Sequence, residues 1–341
     1  MKRRKIAALA VLGLMATVAL VATSAGSARS EQDDFRMALV TDIGSLQDKS
    51  FNELANKGRI RVGRDLGIDT RVYVTNKAED RLPNLLAAAS AGYDLVFGVG
   101  FFHAEHLNVV APRFPGQEFA GVDITKFLLS NNPTNYTGIV FTEHEAGYLV
   151  GYLAALQAKR QGGRQVISAV GANAVPAIVK FISGYIQGAK RANPQIRVIA
   201  NYANDPTFSD QAKCKKVALR QIAQGSQAVF QVAGGCGLGA LSAAKEKKVW
   251  GIGVDADQRY LGAHMLTSAI KKVDLAVEII TKRAELGRLK GQVDFVFSAK
   301  NGGVGLGSVS PKVNRADLAA TKRIQRLMAN GKIKVKETIK F

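Results

Sequence analysis

The chain has 341 residues, of which 47 are lysine or arginine and 27 are aspartate or glutamate, so its formal net charge is +20. One hydrophobic core rarely organises a chain of this length, so two domains are expected. The basic residues are dispersed and have few aromatic neighbours, which argues against a nucleic-acid-binding surface built on base stacking. We expect the basic surplus to form an ordinary solvated surface; binding to anionic surfaces such as membranes or cell-wall polymers is the alternative.

The N-terminal segment has the composition of a secretory signal peptide. Four basic residues at positions 2–5 precede an apolar segment, 6–21, that ends in small residues. We expect residues 1–28 to be a signal peptide that is cleaved after Ala25 or Ala28, with retention as a membrane anchor as the alternative. No cysteine follows the apolar segment, so a lipobox is not expected. Either outcome predicts an exported protein of the periplasm or cell surface.

From residue 34 onward, short apolar or β-branched segments alternate with amphipathic segments, a pattern typical of βαβ units and parallel sheets. The predicted strands are 36–40, 69–74, 95–99, 118–122, 136–140, 166–170, 196–202, 228–232 and 250–254. The predicted helices are 50–66, 82–91, 144–159, 176–192, 209–224 and 238–247. Asp48 or Ser50 is expected to cap the first helix, and Ser209 or Asp210 the fifth.

The alternation changes after Asp255. The predicted elements there are a strand at 265–270, a helix at 273–286 and a strand at 293–297. A chain that builds one α/β lobe, builds a second and then crosses back would produce this pattern. We therefore expect lobe one to contain 34–142 and 265–291, and lobe two to contain 143–264 and 292–341.

The loop after the first predicted strand is rich in hydrogen-bonding groups. Asp42 follows the strand directly, Gly44 permits a tight turn, and Phe51 and Asn52 lie in the first helical turn. Ligands bind beyond the carboxyl ends of parallel strands, so this loop is a candidate recognition surface. A core position within the lobe is the alternative for Phe51.

Motifs along the whole chain resemble those of one known family. DKSFN at 48–52, after the DxG of Asp42 and Gly44, is similar to the first-lobe signature of the basic membrane protein family, the purine-nucleoside receptors of ABC importers. Further segments match this family in order: VFGVGFFHAEHL, FAGVD, YTGIVFTEHEAGYLVGYLAA, VGANAVPAIVKFISGYIQGAK, NDPTFSDQAK, QVAGGCGLGALSAAKEK, GIGVDADQ and LTSAIKKVD.

The resemblance implies an α/β fold of the type I periplasmic-binding-protein class, in which each lobe is a parallel sheet flanked by helices and the ligand cleft lies between the lobes. It also implies a binding protein and not an enzyme, one that captures a purine nucleoside (guanosine, inosine or adenosine) and delivers it to ABC permease subunits. No cofactor, metal ion or nucleic acid is expected to take part.

By the same resemblance, five residues are expected around the purine base. Phe51 and Phe208 should stack on its two faces, because stacking on an aromatic ring contributes roughly 1–3 kcal/mol per base. Asn52 and Asp123 should meet the donors and acceptors at the edge of the base, with Asp42 beside them.

Three further residues are expected, again by resemblance, at the ribose. Asp255 follows the 250–254 strand, and a carboxylate there can accept from two adjacent hydroxyls. Gly234 lies in a glycine-rich loop that permits close approach of the backbone; phosphate binding is a weak alternative, because no Walker lysine is in register. Lys271 is preferred over Lys272 only through the resemblance.

Two other classes of function stay open on the sequence. For an enzyme, the four histidines show no metal-binding spacing beyond His103 and His106, and neither GxSxG nor HExxH occurs. A sugar- or signalling-molecule-binding receptor of the same fold is the nearer alternative. Phe101, Phe102 and His103 lie close to the expected base site, where we expect them to pack lobe one; the alternative is that they narrow the pocket.

Cys214 and Cys236 are the two cysteines of the sequence. Disulfides persist in exported proteins, and both residues are predicted at the carboxyl edge of the second sheet, so we expect a disulfide between them. Two buried free thiols are the alternative.

Overall fold

The computed structural model describes residues 35–341, and the predicted signal peptide lies outside that range. The strands are β1 (Arg36–Val40), β2 (Asp69–Tyr73), β3 (Leu95–Val99), β4 (Glu118–Val122), β5 (Tyr136–Phe141), β6 (Val166–Gly171), β7 (Arg197–Tyr202), β8 (Ser226–Val232), β9 (Trp250–Asp255), β10 (Met265–Lys271), β11 (Val293–Phe297) and β12 (Val304–Leu306). The α-helices are α1 (Phe51–Leu66), α2 (Arg81–Ser90), α3 (Ala104–Val110), α4 (Glu143–Gln161), α5 (Pro176–Ala192), α6 (Gln211–Ala223), α7 (Gly237–Glu246), α8 (Val273–Glu285) and α9 (Arg315–Ala329).

Two six-stranded sheets, one in each lobe, carry these elements. The lobe-one sheet has the order β11–β5–β4–β3–β1–β2, and all its neighbouring strands are parallel. The lobe-two sheet has the order β12–β10–β9–β8–β6–β7, and only β12 runs antiparallel to its neighbour. The predicted class, an α/β fold of two mainly parallel sheets flanked by helices, is confirmed.

Two strands, β10 and β11, each lie in the lobe opposite to the one predicted. β10 was expected in lobe one, but it pairs with β9 and β12 in the lobe-two sheet. β11 was expected in lobe two, but it pairs with β5 in the lobe-one sheet. The physical reason is burial: β10 is almost wholly buried and needs a neighbour on each edge, whereas β11 is half exposed and suits the edge of a sheet.

The helix between these strands, α8, packs against α1 in lobe one. A Cβ added at Gly58 of α1 would lie 2.5 Å from the carbonyl oxygen of Asp274 in α8, so the two helices approach at backbone distance. The chain therefore passes between the lobes near residues 142 and 272 and again at 298–303.

Glycines bring α4 and α5 into direct backbone contact within lobe two. A side chain at Gly147 or Gly151 of α4 would collide with carbonyl oxygens of α5, and one at Gly184 or Gly188 of α5 would collide with those of α4. This packing fixes the N-terminus of α4, which begins directly after β5 at the carboxyl edge of the lobe-one sheet. None of the helices in residues 35–341 combines the length and apolar character that a membrane span requires.

Candidate ligand-binding site between the lobes

A cavity of about 350 Å³ lies between the carboxyl edges of the two sheets. Its walls come from the loops after β1, β3 and β4 in lobe one and from the loops after β6, β7, β8 and β9 in lobe two. All of the predicted ligand-binding residues line this cavity: Asp42, Phe51, Asn52, Asp123, Phe208, Gly234, Asp255 and Lys271. Their common location follows from the fold, and their individual roles toward a ligand stay predictions.

Two aspartates occupy equivalent places in the two lobes. Asp123 directly follows β4 and Asp255 ends β9, each in the third strand of its sheet. Both have left-handed backbone conformations, with φ of 64° and 60°. Such a conformation is costly for most residues and aspartate tolerates it better, so it persists where the surroundings enforce it. The effect is to turn both carboxylates inward at the cleft.

Lys271 ends β10 and is surrounded by carboxylates. Its Nζ lies 2.6 Å from Asp123 Oδ2 and 3.0 Å from Glu143 Oε1, and the residue is 1% exposed. Burial alone would lower the pKa of Lys271, but the attraction of Asp123, Glu143 and Asp255 outweighs burial and raises it. The expected base contact, Asp123, and the expected ribose contact, Lys271, are therefore joined directly.

Burial also shifts the pKa values of two carboxyl groups here. It raises the pKa of Glu143 to about 7, with the charge of Lys271 opposing and that of Asp123 adding. It raises the pKa of Asp255 to about 6, against the attraction of Lys271 and a hydrogen bond from Ser50. One lysine thus faces three carboxyl groups, so carboxyl groups outnumber cations in the polar wall of the cleft.

Asp42 forms an ion pair with a residue that the sequence analysis did not identify. Arg81, in the first turn of α2, places Nη2 2.7 Å and Nε 3.0 Å from Asp42 Oδ1, and both residues are buried. The backbone N–H of Asp42 donates to Asn52 Oδ1 at 3.2 Å. Asp42 and Asn52 therefore hold the loop between β1 and α1 in addition to lining the cavity.

Two aspartates cap the loops that present the predicted stacking residues. Asp48 accepts from the backbone N–H groups of Ser50, Asn52 and Glu53, which confirms it as a cap of α1. In lobe two, Asp205 accepts from the backbone of Thr207, Ser209 and Asp210 on either side of Phe208. Asp210 itself caps α6 through the N–H of Lys213, as expected.

The aromatic residues after β3 reach the cavity. Phe101 and Phe102 both line it, and the ring of Phe102 lies edge-on to Phe208 of the other lobe with centroids 6.5 Å apart. The expectation that they only pack lobe one is therefore wrong for both residues, and Phe102 also contacts lobe two. His103 is fully buried and contacts the Thr41 carbonyl at 2.9 Å, and burial lowers its pKa to about 4.

Cys214 and Cys236 are joined in a disulfide with Cα atoms 5.6 Å apart. The bond ties the first turns of α6 to the glycine-rich loop after β8. The backbone N–H of Cys236 donates to the Phe208 carbonyl at 2.8 Å, so the bond also fixes the loop that carries Phe208.

Sequence reasoning missed Glu143, Arg81 and Gln258. Glu143 lies between the strand predicted at 136–140 and the helix predicted at 144–159 and was given no role, yet a position just after β5 is at the carboxyl edge where ligands bind, and this signal could have found it. Gln258 is fully buried and donates from Nε2 to the carbonyl of Lys49 in lobe one at 3.0 Å. No local sequence pattern predicts such a contact between the lobes.

Two α/β lobes that enclose a ligand-sized cavity are the architecture of solute-binding proteins. A family model described as ABC transporter substrate-binding protein PnrA-like matches residues 35–338, and the chain belongs to that family. It is therefore an extracytoplasmic receptor of an ABC transporter and not an enzyme.

Individual relatives agree with this assignment. The chain is 33% identical, over 90% of its length and 92% of the relative's, to the ABC transporter nucleoside-binding protein BmpA of Lactococcus lactis subsp. cremoris. It is 31% identical to basic membrane protein A of Borreliella burgdorferi over 78% of this chain and 80% of that one. A crystal structure of an ABC transporter solute-binding protein from Aeropyrum pernix K1 aligns with a TM-score of 0.79 at 25% identity, covering 88% of this chain and 92% of that one.

Proposed function

We propose that this protein captures purine nucleosides, namely guanosine, inosine or adenosine, outside the cell and delivers them to the permease subunits of an ABC importer. The observation that carries the proposal is that Phe51 of lobe one and Phe208 of lobe two both line the cavity beside the carboxylates of Asp123 and Asp255. Aromatic walls suit a flat base, and carboxylates suit N–H and hydroxyl donors.

Asp123 offers an acceptor to such a ligand. Its Oδ2 binds Lys271, but its Oδ1 is buried and has no hydrogen-bond partner among residues 35–341. A buried carboxylate oxygen without a partner is costly, so a ligand donor at this atom contributes more than a donor in water would. A ring N–H or an exocyclic amino group of a purine provides that donor.

The size and charge of the cavity narrow the class of ligand. About 350 Å³ lies at the small end of the range of about 300–1,000 Å³ that is usual for small-molecule pockets, and this suits a nucleoside. Lys271 is the one cation among the lining residues that the structure describes, and carboxylates already surround it. A phosphate group would meet like charge, which favours nucleosides over nucleotides.

The lactococcal relative is a nucleoside-binding protein, and this supports the same ligand class. The basic and apolar N-terminal segment supports export, which agrees with a receptor that captures its ligand outside the cell.

Calorimetric titration with guanosine, inosine, adenosine, guanosine monophosphate, guanine and ribose tests the proposal. At least one nucleoside should saturate the protein, and ribose should bind about a hundredfold more weakly because it lacks a face to stack. Phe51→Ala should weaken nucleoside binding, whereas the matched variant Phe127→Ala, at a residue 82% exposed, should not. Ribose binding as tight as nucleoside binding would overturn the proposal in favour of a sugar receptor.

A further inference from the structure

The open edge of the lobe-one sheet carries a group of exposed apolar side chains. Phe127 is 82% exposed, and Leu128, Val293 and Val296 are 37–52% exposed. A further one, Leu286 at 57%, follows α8 in the segment that leads into β11. These are five of the nine large apolar residues that are exposed in residues 35–341, and all five lie in β11, in the turn hydrogen-bonded to it, or in the segment that leads into it. Val293 and Val296 project to opposite faces of the strand, so the group wraps around the edge of the sheet. Concentrated apolar exposure marks an interaction surface.

Hydrogen bonds hold the turn at Lys126–Leu128 against this edge. Thr125 Oγ1 and the backbone N–H of Lys126 donate to the carboxylate of Asp294 in β11, at 2.5 and 2.8 Å. Lys126 Nζ donates to the carbonyl of Gln292 at 2.9 Å. The turn thus presents its aromatic side chain to solvent from a backbone that is fixed to the sheet.

Basic residues flank the apolar ones. The guanidinium of Arg283 lies 5.1 Å from the ring centroid of Phe295 in β11. Further exposed cations in the same segment are Lys282, Arg288 and Lys290. The acidic side chains of this segment are Glu285, which is exposed, and Asp294, which is half-buried and already accepts hydrogen bonds from the turn. The edge therefore has a positive net charge around an apolar centre.

We infer that this lobe-one edge patch, made up of 126–128, 282–290 and 293–296, binds a membrane surface that contains anionic lipids. Aromatic and aliphatic side chains enter the interface between headgroups and acyl chains, while lysine and arginine stay at the level of the anionic headgroups. A second copy of the chain fits less well, because the cations of two such patches would face each other.

The patch lies in one lobe of the receptor. Its residues all belong to elements of lobe one, so contact with the membrane would hold lobe one and leave lobe two free to open and close. Such an arrangement would keep the receptor at the membrane in both states of the cleft.

A single tryptophan at the patch gives a local test in the full chain. Trp250 is the one tryptophan of the sequence, so the Trp250→Phe background accepts a reporter at Phe127→Trp or, as a matched control, at the exposed Tyr260→Trp of lobe two. Vesicles of phosphatidylcholine with phosphatidylglycerol should shift the emission of the reporter at 127 to shorter wavelength, and brominated lipid should quench it. The reporter at 260 should not respond, and pure phosphatidylcholine should give a much smaller effect at 127. Both proteins share the same N-terminal segment, so its own affinity for lipid does not separate them.

Charge reversal completes the test. Arg288→Glu with Lys290→Glu, added to the reporter at 127, should weaken its lipid response by about fivefold per cation. Lys332→Glu with Lys334→Glu, exposed residues of lobe two, changes the net charge equally and should leave the response intact. Equal quenching at 127 and 260 would overturn the inference. An absence of any response at 127 would overturn it too, and would leave a protein surface as the partner of the patch.

Discussion

The hydroxyl of Ser50 donates a hydrogen bond to Asp255 Oδ2 at 2.5 Å, although 205 positions separate the two residues in sequence. Gln258 Nε2 adds a second bond nearby, to the carbonyl of Lys49. Both contacts join the start of α1 in lobe one to the loop after β9 in lobe two. The structure therefore shows the lobes in contact, and the residues before α1 take part in the closed interface.

Ser50→Ala should favour the open arrangement of the lobes. The variant removes a hydrogen bond to a carboxylate, and such bonds contribute about 1.5–3 kcal/mol, so guanosine affinity should fall roughly tenfold or more. Small-angle scattering should show a larger radius of gyration for the ligand-free variant than for the wild type. Ser130→Ala, an exposed serine of lobe one, serves as the control. Identical scattering profiles and affinities for Ser50→Ala and wild type would contradict this role.

Glu143 should make stability depend on pH. Burial raises its pKa from a usual 4.5 to about 7, so between these values the folded chain holds a proton that the unfolded chain has released. The stability from this group is therefore present below about pH 4.5 and is lost as the pH rises through about 7. Glu143→Gln should gain stability relative to the wild type over that range, as measured by urea unfolding.

The exposed Glu105 provides the matched control for that experiment. Glu105→Gln should leave the pH dependence of unfolding unchanged. A stability difference between Glu143→Gln and wild type that stays constant with pH would show that Glu143 does not titrate in this range.

The Cys214–Cys236 disulfide should stabilise lobe two. It closes a loop between residues 22 positions apart, and a loop of that length predicts about 3 kcal/mol of stabilisation. The double variant Cys214→Ala, Cys236→Ala should lose about this much in urea unfolding, and the reductant dithiothreitol should then have no further effect. If mass spectrometry of the unreduced wild type found two free thiols, the alternative of buried thiols would hold instead.

Phe208→Ala should weaken guanosine, inosine and adenosine by similar factors. Stacking involves the face of the base and is tolerant of its substituents, so the loss is roughly 1–3 kcal/mol for each ligand and the order of affinities is kept. Phe208→Leu, which preserves apolar volume, should lose less. Calorimetry decides this: unchanged affinities in Phe208→Ala would place the residue in the wall of lobe two and outside the binding site.

Most strands and helices could be predicted from the sequence to within about two residues, although β12, α3 and α9 were not predicted. The lobes of β10 and β11 were predicted wrongly. Each strand has its own run of apolar or β-branched residues, so the ends of β1, β3, β4 and β11 match the prediction. The sheet that a strand joins depends on its pairing partners, which are distant in sequence. β10 and β11 are both short apolar segments after the second lobe, and no local feature tells them apart.

The candidate site could likewise be predicted only in part. The ordered motifs were sufficient to place Asp42, Phe51 and Asp255 around one cavity. They gave no indication that Arg81 would neutralise Asp42, or that Glu143 would share Lys271 with Asp123. The Arg81–Asp42 pair depends on how α2 packs beside β1 within lobe one, whereas the Lys271–Asp123 pair depends on which carboxyl edges face each other across the cleft. That geometry arises only when the lobes are in contact.

Asp255→Ala should remove most of the preference for guanosine over free guanine. Asp255 is 7% exposed at the end of β9, and a carboxylate in that position needs donors to offset its desolvation. Ser50 provides one donor, and two ribose hydroxyls would provide others, at roughly 1.5–3 kcal/mol per bond to a charged acceptor. Loss of the Ser50 contact affects both ligands alike, so the ratio of their affinities isolates the ribose. Titrations of guanosine and guanine into both proteins above pH 7, where the carboxyl group with its pKa of about 6 is ionised, measure that ratio. A variant that keeps the wild-type ratio would show that Asp255 supports the lobe interface and that other residues hold the ribose.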